Sequence, residues 1–358
     1  MKIIEPTREE NRILNRLYDE PFDMFEMIRA DREFLNSLIL RHKPKKLLEV
    51  GVSAGISSVL MLNAIKNDPD AKLYSIDLAT KWYRDETKNT GFIVDRYPEL
   101  QKEGKWNLFT GKLAYEYMST IGNEIDFVLL DAVHCHPGEL LDYLMFLPFL
   151  KKNCPIVLHD INIHTIGFPS PCERRAITNN TLFSAFSGER LVLKDNMRYG
   201  MGGGTPLPNI GGVILAEDAM DHVYEVFNAL SIPWDYMPSD NDLINLREYF
   251  ARFYDAVSLD LFDRIINYQQ FVQTSTAYVN RPWRKKFRKN RYLLLAQRTR
   301  GSLREKFQAK ANKYIRQEKI ADLIRAVRTL NVDQEVLWNN AWRVFDERLA
   351  KPVANASE

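Results

Sequence analysis

Residues 47–58 read LLEVGVSAGISS. An apolar run carries Glu49 near its end, glycines follow at 51 and 55, and serines open a helical pattern. A strand that passes through a glycine turn into a helix places backbone N–H groups at a helix N-terminus and lets a ligand approach the chain. The loop Gly51-Val52-Ser53-Ala54-Gly55 lacks the G-x-G pair that seats a pyrophosphate. A carboxylate at Glu49 would repel that anion, whereas it suits a cationic ligand with an amino-acid moiety.

Outward from this loop the pattern alternates. Strands are expected at KLLEV (46–50), KLYSID (72–77), WNLF (106–109), IDFVLL (125–130) and PIVLH (155–159). Helices fit between them at 55–67, 80–97, 112–121 and 138–150. Apolar strands separated by amphipathic helices predict a parallel sheet covered on both faces. Upstream, residues 8–41 have apolar residues at helical spacing, interrupted at Pro21. After Asp160 the alternation stops; GVILAED (212–218) reads as one more strand, and helical patterns resume at 217–230 and 240–275.

The totals are those of a globular protein: 358 residues, 45% hydrophobic and 27% charged. No stretch approaches the ~18 uninterrupted apolar residues that span a bilayer, and the acids in MKIIEPTREENRIL do not suit a secretory signal. A cytoplasmic protein is expected. Cys135, Cys154 and Cys172 form no C-x-x-C pair, which argues against a disulfide framework or structural zinc. Net charge is only +2, but residues 281–316 hold fourteen Lys/Arg against one acid, and residues 1–280 hold 29 bases against 39 acids. An acidic body thus carries a basic arm. The expected division is N-terminal helices at 1–40, a catalytic domain at 41–280 and a basic helical extension at 281–358.

In a doubly wound sheet, ligands gather beyond the carboxyl ends of the strands. The second strand ends on Asp77, an acid able to accept hydrogen bonds from ribose hydroxyls. The fourth ends VLLDAVHCH, with Asp131, His134 and His136; the fifth ends IVLHDIN, with His159, Asp160 and Asn162. Adjacent strands lie about 4.8 Å apart, so Asp131 and Asp160 can reach one cation of the Mg²⁺ or Mn²⁺ kind. Cys135 has no visible activating neighbour and reads as a bystander.

Taken in order, LLEVGVSAGISS, YSIDL, IDFVLLDAVHCH and PIVLHD resemble the class I S-adenosylmethionine-dependent methyltransferases. More narrowly, they resemble the branch with cation-dependent sugar and small-molecule O-methyltransferases and cephalosporin-hydroxylase-like proteins. The likeness covers about residues 40–215. It implies a mostly parallel, seven-stranded Rossmann-like sheet. It also implies that Glu49, Gly51, Ser53 and Gly55 line the methionine part of the cofactor, that Ser57 and Asp131 lie near it, and that Asp77 holds the ribose. A divalent cation would sit on Asp131 and Asp160, with Asn162 or a neighbour completing the set. In the family the Asp-Asn pair is contiguous, whereas Ile161 intervenes here. A second departure is Lys112 in FTGKLAYE, where the family often places an acid near the adenine.

These residues suit one chemistry. Methyl transfer from a sulfonium needs a partly deprotonated acceptor, and a sugar hydroxyl is too weak an acid at neutral pH. A bound cation lowers the pKa of an oxygen it holds, and a histidine takes the proton. His134 is the expected base, with His136 and His159 in reserve. The expectation is an O-methyltransferase acting on a sugar, glycan or natural-product hydroxyl. The alternatives are a metal-independent N-methyltransferase, a nicotinamide-dependent enzyme and a non-catalytic scaffold. The loop YGMGGGTPLPNIGG (199–212) suits a substrate lid. The arm suits anionic lipid, a phosphate-bearing glycan or a neighbouring subunit in a homo-oligomer, with nucleic acid least favoured.

Overall fold

The computed structural model describes residues 2–4, 27–163, 178–193 and 209–279, together with residues 305, 308, 309 and 312. The expected helix before residue 27, most of the 199–212 loop, Cys172 and nearly all of the basic arm lie outside the described residues.

Strands β2 (Lys46–Val50), β3 (Lys72–Asp77), β6 (Trp106–Thr110), β7 (Phe127–Leu130) and β8 (Pro155–His159) form where the apolar runs predict them. With β1 (Lys2–Ile4), β9 (Gly188–Leu193) and β10 (Ile210–Leu215) they build one sheet in the order β1-β9-β10-β8-β7-β2-β3-β6. Strands β2, β3, β6, β7 and β8 pair in parallel, and β10 runs antiparallel to both β8 and β9. The reversal between β2–β3 and β2–β7 creates a switch point at the carboxyl end of β2. The sheet has eight strands rather than the expected seven: the extra one, β1, adds in parallel to β9 at the edge.

Both faces are buried, so neighbouring residues along a central strand enter different layers. Leu48, Val50, Leu130 and Leu158 face helices α3 (Ala114–Ile121), α4 (Gly138–Phe146), α5 (Thr178–Ala185), α6 (Val223–Ala229), α7 (Asp240–Phe250) and the start of α8 (Ala256–Val279). Leu47, Leu129 and Val157 face α1 (Arg29–His42) and α2 (Ile56–Ala64). This two-sided burial is why these strands read as continuous apolar runs. Tyr249 and Tyr254 donate their hydroxyls to the carbonyls of Met145 and Leu144, which satisfies acceptors near the end of α4.

Two expected helices are corrected. Residues 80–97 form a hairpin, β4 (Lys81–Trp82) with β5 (Asp85–Asn89), followed by short 3₁₀ turns at Val94–Arg96 and Pro98–Leu100. The helix expected over 240–275 is two helices, separated at residues 251–255. The chain divides into two compact units, Met1–Asn267 and Tyr268–Glu358. Among the described residues no helix is long and apolar enough to cross a membrane.

Candidate active site

The glycine loop lies at the switch point. Gly51 and Gly55 have φ of 92° and 98°, in the left-handed region that favours glycine. A Cβ on Gly51 would stand 1.8 Å from the carbonyl oxygen of Asp131, and one on Gly55 would stand 2.9 Å from the Cα of Gly91. The close approach is therefore backbone to backbone. Three bonds fasten the loop in that position: Asp131 N–H to Val50 O at 2.9 Å, Gly91 N–H to Ser53 O at 2.9 Å and Ile93 N–H to Ala54 O at 3.0 Å.

Asp77 closes the loop from the β3 side. Its Oδ2 accepts the N–H groups of Val52 (2.9 Å) and Ser53 (3.0 Å), and its Oδ1 accepts that of Ala79 (2.8 Å). Donors that a pyrophosphate would use are thus already engaged by a carboxylate. A carboxylate offers about four acceptor positions, so with three in use Asp77 keeps capacity for a ribose hydroxyl. Nearby, the Ser53 hydroxyl is buried and has no hydrogen-bond partner among the described residues. These are the features a nucleoside with an uncharged sugar would satisfy.

Glu49 is placed differently from the sequence expectation. It does not line the crevice; it is 0% exposed beneath the loop. There Oε1 accepts from the Ser57 hydroxyl (2.5 Å), and Oε2 accepts from Ser58 and Ser75 (2.6 Å each). Ser57 is likewise committed to this brace. Burial pushes the Glu49 carboxyl up to about 7, with the three serines working against it. A raised folded-state pKa contributes stability below the unfolded value near 4.5, and that contribution is lost as pH rises through 7. The shift corresponds to a swing on the order of 3 kcal/mol. Glu49→Gln should remove this pH dependence. Urea unfolding of variant and parent at pH 5 and pH 8 measures it, and an unchanged difference between the two pH values would show that Glu49 ionises freely.

The ends of β7 and β8 assemble the polar centre. Their register pairs Leu130 with Leu158, which brings Asp131 level with His159. Just beyond the strand ends the chain turns sharply, with φ of 53° at His134 and 54° at Asp160. Side chains in such conformations cluster at functional sites. His134 Nε2 lies 3.1 Å from Asp160 Oδ2 and 3.6 Å from Asp131 Oδ1. These three residues can each offer one donor atom to a common ion, all within 4.8 Å of one another. Two carboxylates and an imidazole so arranged fit a divalent cation. His159 Nδ1 sits 3.2 Å from Asp131 Oδ2 and 3.6 Å from Asp160 Oδ1.

Of the residues named from sequence, the structure brings Asp131, His134, Asp160 and His159 together. Asn162 does not join them: its Oδ1 accepts from Asn180 at 3.3 Å, and its backbone N–H is turned to Asn209. His136 is buried, and its imidazole pKa is pushed down to about 4 by burial. Lys112 is an exposed residue just before α3, 3.8 Å from Glu116 on that helix. Cys135 and Cys154 are buried.

Four supporting residues escape sequence reading. Glu139, 0% exposed on the first turn of α4, accepts the backbone N–H of His134 and has Oε1 3.3 Å from His134 Nδ1. Asn209 donates to Asp160 Oδ1, and Asn179 donates to the His159 carbonyl at 2.7 Å. Asp31, on α1, meets His159 Nε2 at 3.2 Å. Only Glu139 left a local signal, as an acid on the first turn of the largely apolar helix GELLDYLMF. Asp142, on the same helix, is pushed up to about 8 by burial, then by the carboxylates of Glu139 and Asp77. Beyond burial, its raised pKa reports the field of the neighbouring carboxylates, an environment that favours a cationic ligand.

Residues 48–161 match a protein family described as a methyltransferase domain, a span of about a third of the chain. No curated protein matches the chain in sequence. Among solved structures it is similar to the O-methyltransferase TomG from Streptomyces achromogenes, involved in tomaymycin synthesis and solved with S-adenosylmethionine. That likeness has 16% identity, 58% of this chain and 91% of that one covered, and a TM-score of 0.41. It is also similar to an O-methyltransferase from Bacillus cereus with S-adenosylhomocysteine bound, with 15% identity, 56% and 88% covered, and a TM-score of 0.40. A third is the methyltransferase PaMTH1 of Podospora anserina, with 16% identity, 57% and 88% covered, and a TM-score of 0.42. The sheet order and the matched segment define a Rossmann-like α/β fold of the methyltransferase kind. Over residues 48–161 the chain is thus similar to a methyltransferase-domain family.

Proposed function

We propose that the protein is an O-methyltransferase that moves the methyl group of S-adenosylmethionine to a small-molecule hydroxyl, of the sugar or natural-product class, with a divalent cation at Asp131 and Asp160. The observation that carries this reading is the convergence of Asp131, His134 and Asp160 beside the glycine loop. An amine acceptor has a lone pair at accessible pH and needs no such centre, whereas a hydroxyl needs help to lose its proton. When bound, Mg²⁺ or Mn²⁺ would supply Lewis acidity to the acceptor oxygen.

The chain's own residues do the rest. Asp77 and the Ser53 hydroxyl hold the nucleoside, and the neighbouring carboxylates favour the sulfonium over its neutral thioether product. His134 takes the hydroxyl proton on Nε2. The acceptor oxygen forms the new C–O bond as the S–CH₃ bond breaks, which leaves S-adenosylhomocysteine. Glu139 holds the His134 backbone N–H and sets its negative charge 3.3 Å from Nδ1 on the far side of the imidazole.

Calorimetry and a methyl-transfer assay test this reading. S-adenosylhomocysteine should bind, and methylation of a panel of hydroxyl acceptors should stop on chelation and return with Mg²⁺ or Mn²⁺. Methylation that survives chelation would favour an N-methyltransferase. Absence of S-adenosylhomocysteine binding at millimolar concentration would favour a scaffold, and nicotinamide-nucleotide binding in its place would favour a dehydrogenase.

A further inference from the structure

Asp31 stands on the first turn of α1, outside the segment that matches the methyltransferase family. Its carboxylate nevertheless reaches the polar centre across 128 residues of sequence, meeting His159 Nε2 at 3.2 Å. Both side chains are almost fully enclosed, each residue 4% exposed. The opposite edge of the same imidazole, Nδ1, rests 3.2 Å from Asp131 Oδ2. The ring thus bridges the two acids, hydrogen-bonded to Asp31 at Nε2 and in charge contact with Asp131 at Nδ1.

The bridge has a consequence for how the two strand-end acids are displayed. Each has one oxygen held inward: Asp131 Oδ2 lies against His159, and Asp160 Oδ1 receives the Asn209 amide. Each turns its other oxygen, Asp131 Oδ1 and Asp160 Oδ2, toward the space beside His134 Nε2, where a shared ion would sit. One-oxygen presentation by both acids depends on the inner oxygens staying where they are. For Asp131 that depends on the His159 ring, and the ring's orientation depends on what grips Nε2.

Packing does not explain Asp31. Helix α1 is already docked by Phe34, Leu35, Leu38 and Ile39, all buried in the core. A buried acid–histidine pair is a poor source of stability compared with apolar side chains of similar volume, so its presence calls for another reason. We propose that Asp31 is a positioning residue of the cation site, acting through His159 to fix which oxygen of Asp131 faces the ion. This rests on the reading that Asp131 and Asp160 hold a divalent cation, and it makes α1 part of the active centre.

The test uses the full-length chain and Mn²⁺ as probe. Calorimetric Mn²⁺ affinity is measured for the parent, Asp31→Asn, His159→Gln and the double variant, with S-adenosylhomocysteine affinity measured alongside. Groups that support metal ligands typically account for 10–100-fold in affinity. Asp31→Asn should therefore weaken Mn²⁺ binding about 10–100-fold and leave S-adenosylhomocysteine binding unchanged. Placed on His159→Gln, it should add less than about twofold, because the two act in series. Asp31→Ser, whose shorter side chain withdraws the carboxylate from Nε2, is read in the same way if the asparagine variant does not fold. Three results overturn the proposal: Mn²⁺ affinity within about twofold of the parent, a parallel loss of S-adenosylhomocysteine affinity, which marks a brace for the whole fold, or losses that multiply in the double variant. A parent chain that binds S-adenosylhomocysteine but no Mn²⁺ overturns the cation reading itself, and the proposal with it.

Discussion

His134→Asn is expected to lower turnover by about 10²–10⁴-fold while the affinity for S-adenosylhomocysteine holds. Asparagine is chosen because position 134 has φ of 53°, a conformation that asparagine tolerates better than alanine. Burial works against a charge on this imidazole, but Asp160, Glu139 and Asp131 outweigh it and hold the group up to about 9. The ring therefore carries a proton at neutral pH when only the three carboxylates surround it, and it serves as a base only once that negative field is offset. A divalent cation at Asp131 and Asp160 is the natural counterweight. The variant thus differs from a metal-site lesion: Mn²⁺ affinity should hold or rise, since a competing positive charge has been removed. Release of S-adenosylhomocysteine in the presence of acceptor and Mg²⁺ measures the effect. Normal turnover would clear His134 of the base role, and a fall in Mn²⁺ affinity would make it a ligand instead.

What the sequence disclosed follows from how local each signal is. Central strands β2, β3 and β8 match their apolar runs residue for residue, because burial on both faces leaves short apolar blocks bounded by polar turns. Segment 80–97 has helix-like polar content, yet Asp85 turns its carboxylate onto the Thr87 N–H and hydroxyl, and Gly91 at φ 76° ends any helical run. That turn chemistry favours a hairpin. At the site, Asp131, His134 and Asp160 are strand-end residues and could be found by position alone. Asn162 could not be placed, because the left-handed turn at Asp160 redirects the chain and the amide pairs with Asn180 instead. Glu49 was legible in type but misjudged in direction. It shares strand parity with Leu47, which faces the α1–α2 layer, and parity alone points it at the serines of α2 rather than at a ligand. Asp31 left no local trace, since nothing within a helix announces a partner in a strand end more than a hundred residues away.

Gly51→Ala carries the largest expected effect on the fold, and the reason separates two meanings of a loop glycine. Were Gly51 present only to admit a ligand, a methyl group there would weaken cofactor binding and little else. The added Cβ instead meets backbone: 1.8 Å from Asp131 O, 2.5 Å from its carbonyl carbon and 3.0 Å from Ala132 Cα. No side chain can rotate away to make room. Both partners are also tied into the sheet, Gly51 N–H to Ile76 O and Asp131 N–H to Val50 O, each at 2.9 Å. Destabilisation of roughly 3–5 kcal/mol is expected, from the clash together with the left-handed φ of 92°. Gly104→Ala is the matched control. It has φ of 69° with nothing within 4 Å of the added carbon, so it should cost only the conformational strain of about 1–2 kcal/mol. Urea unfolding of the two variants measures the difference, and equal losses would dissolve the argument for close packing. The same contact joins the two halves of the chemistry. The loop that Asp77 shapes for the cofactor rests on the peptide of Asp131, so in any Gly51→Ala protein that still folds, Mn²⁺ and S-adenosylhomocysteine affinities should fall together, whereas Asp31→Asn should lower the first alone.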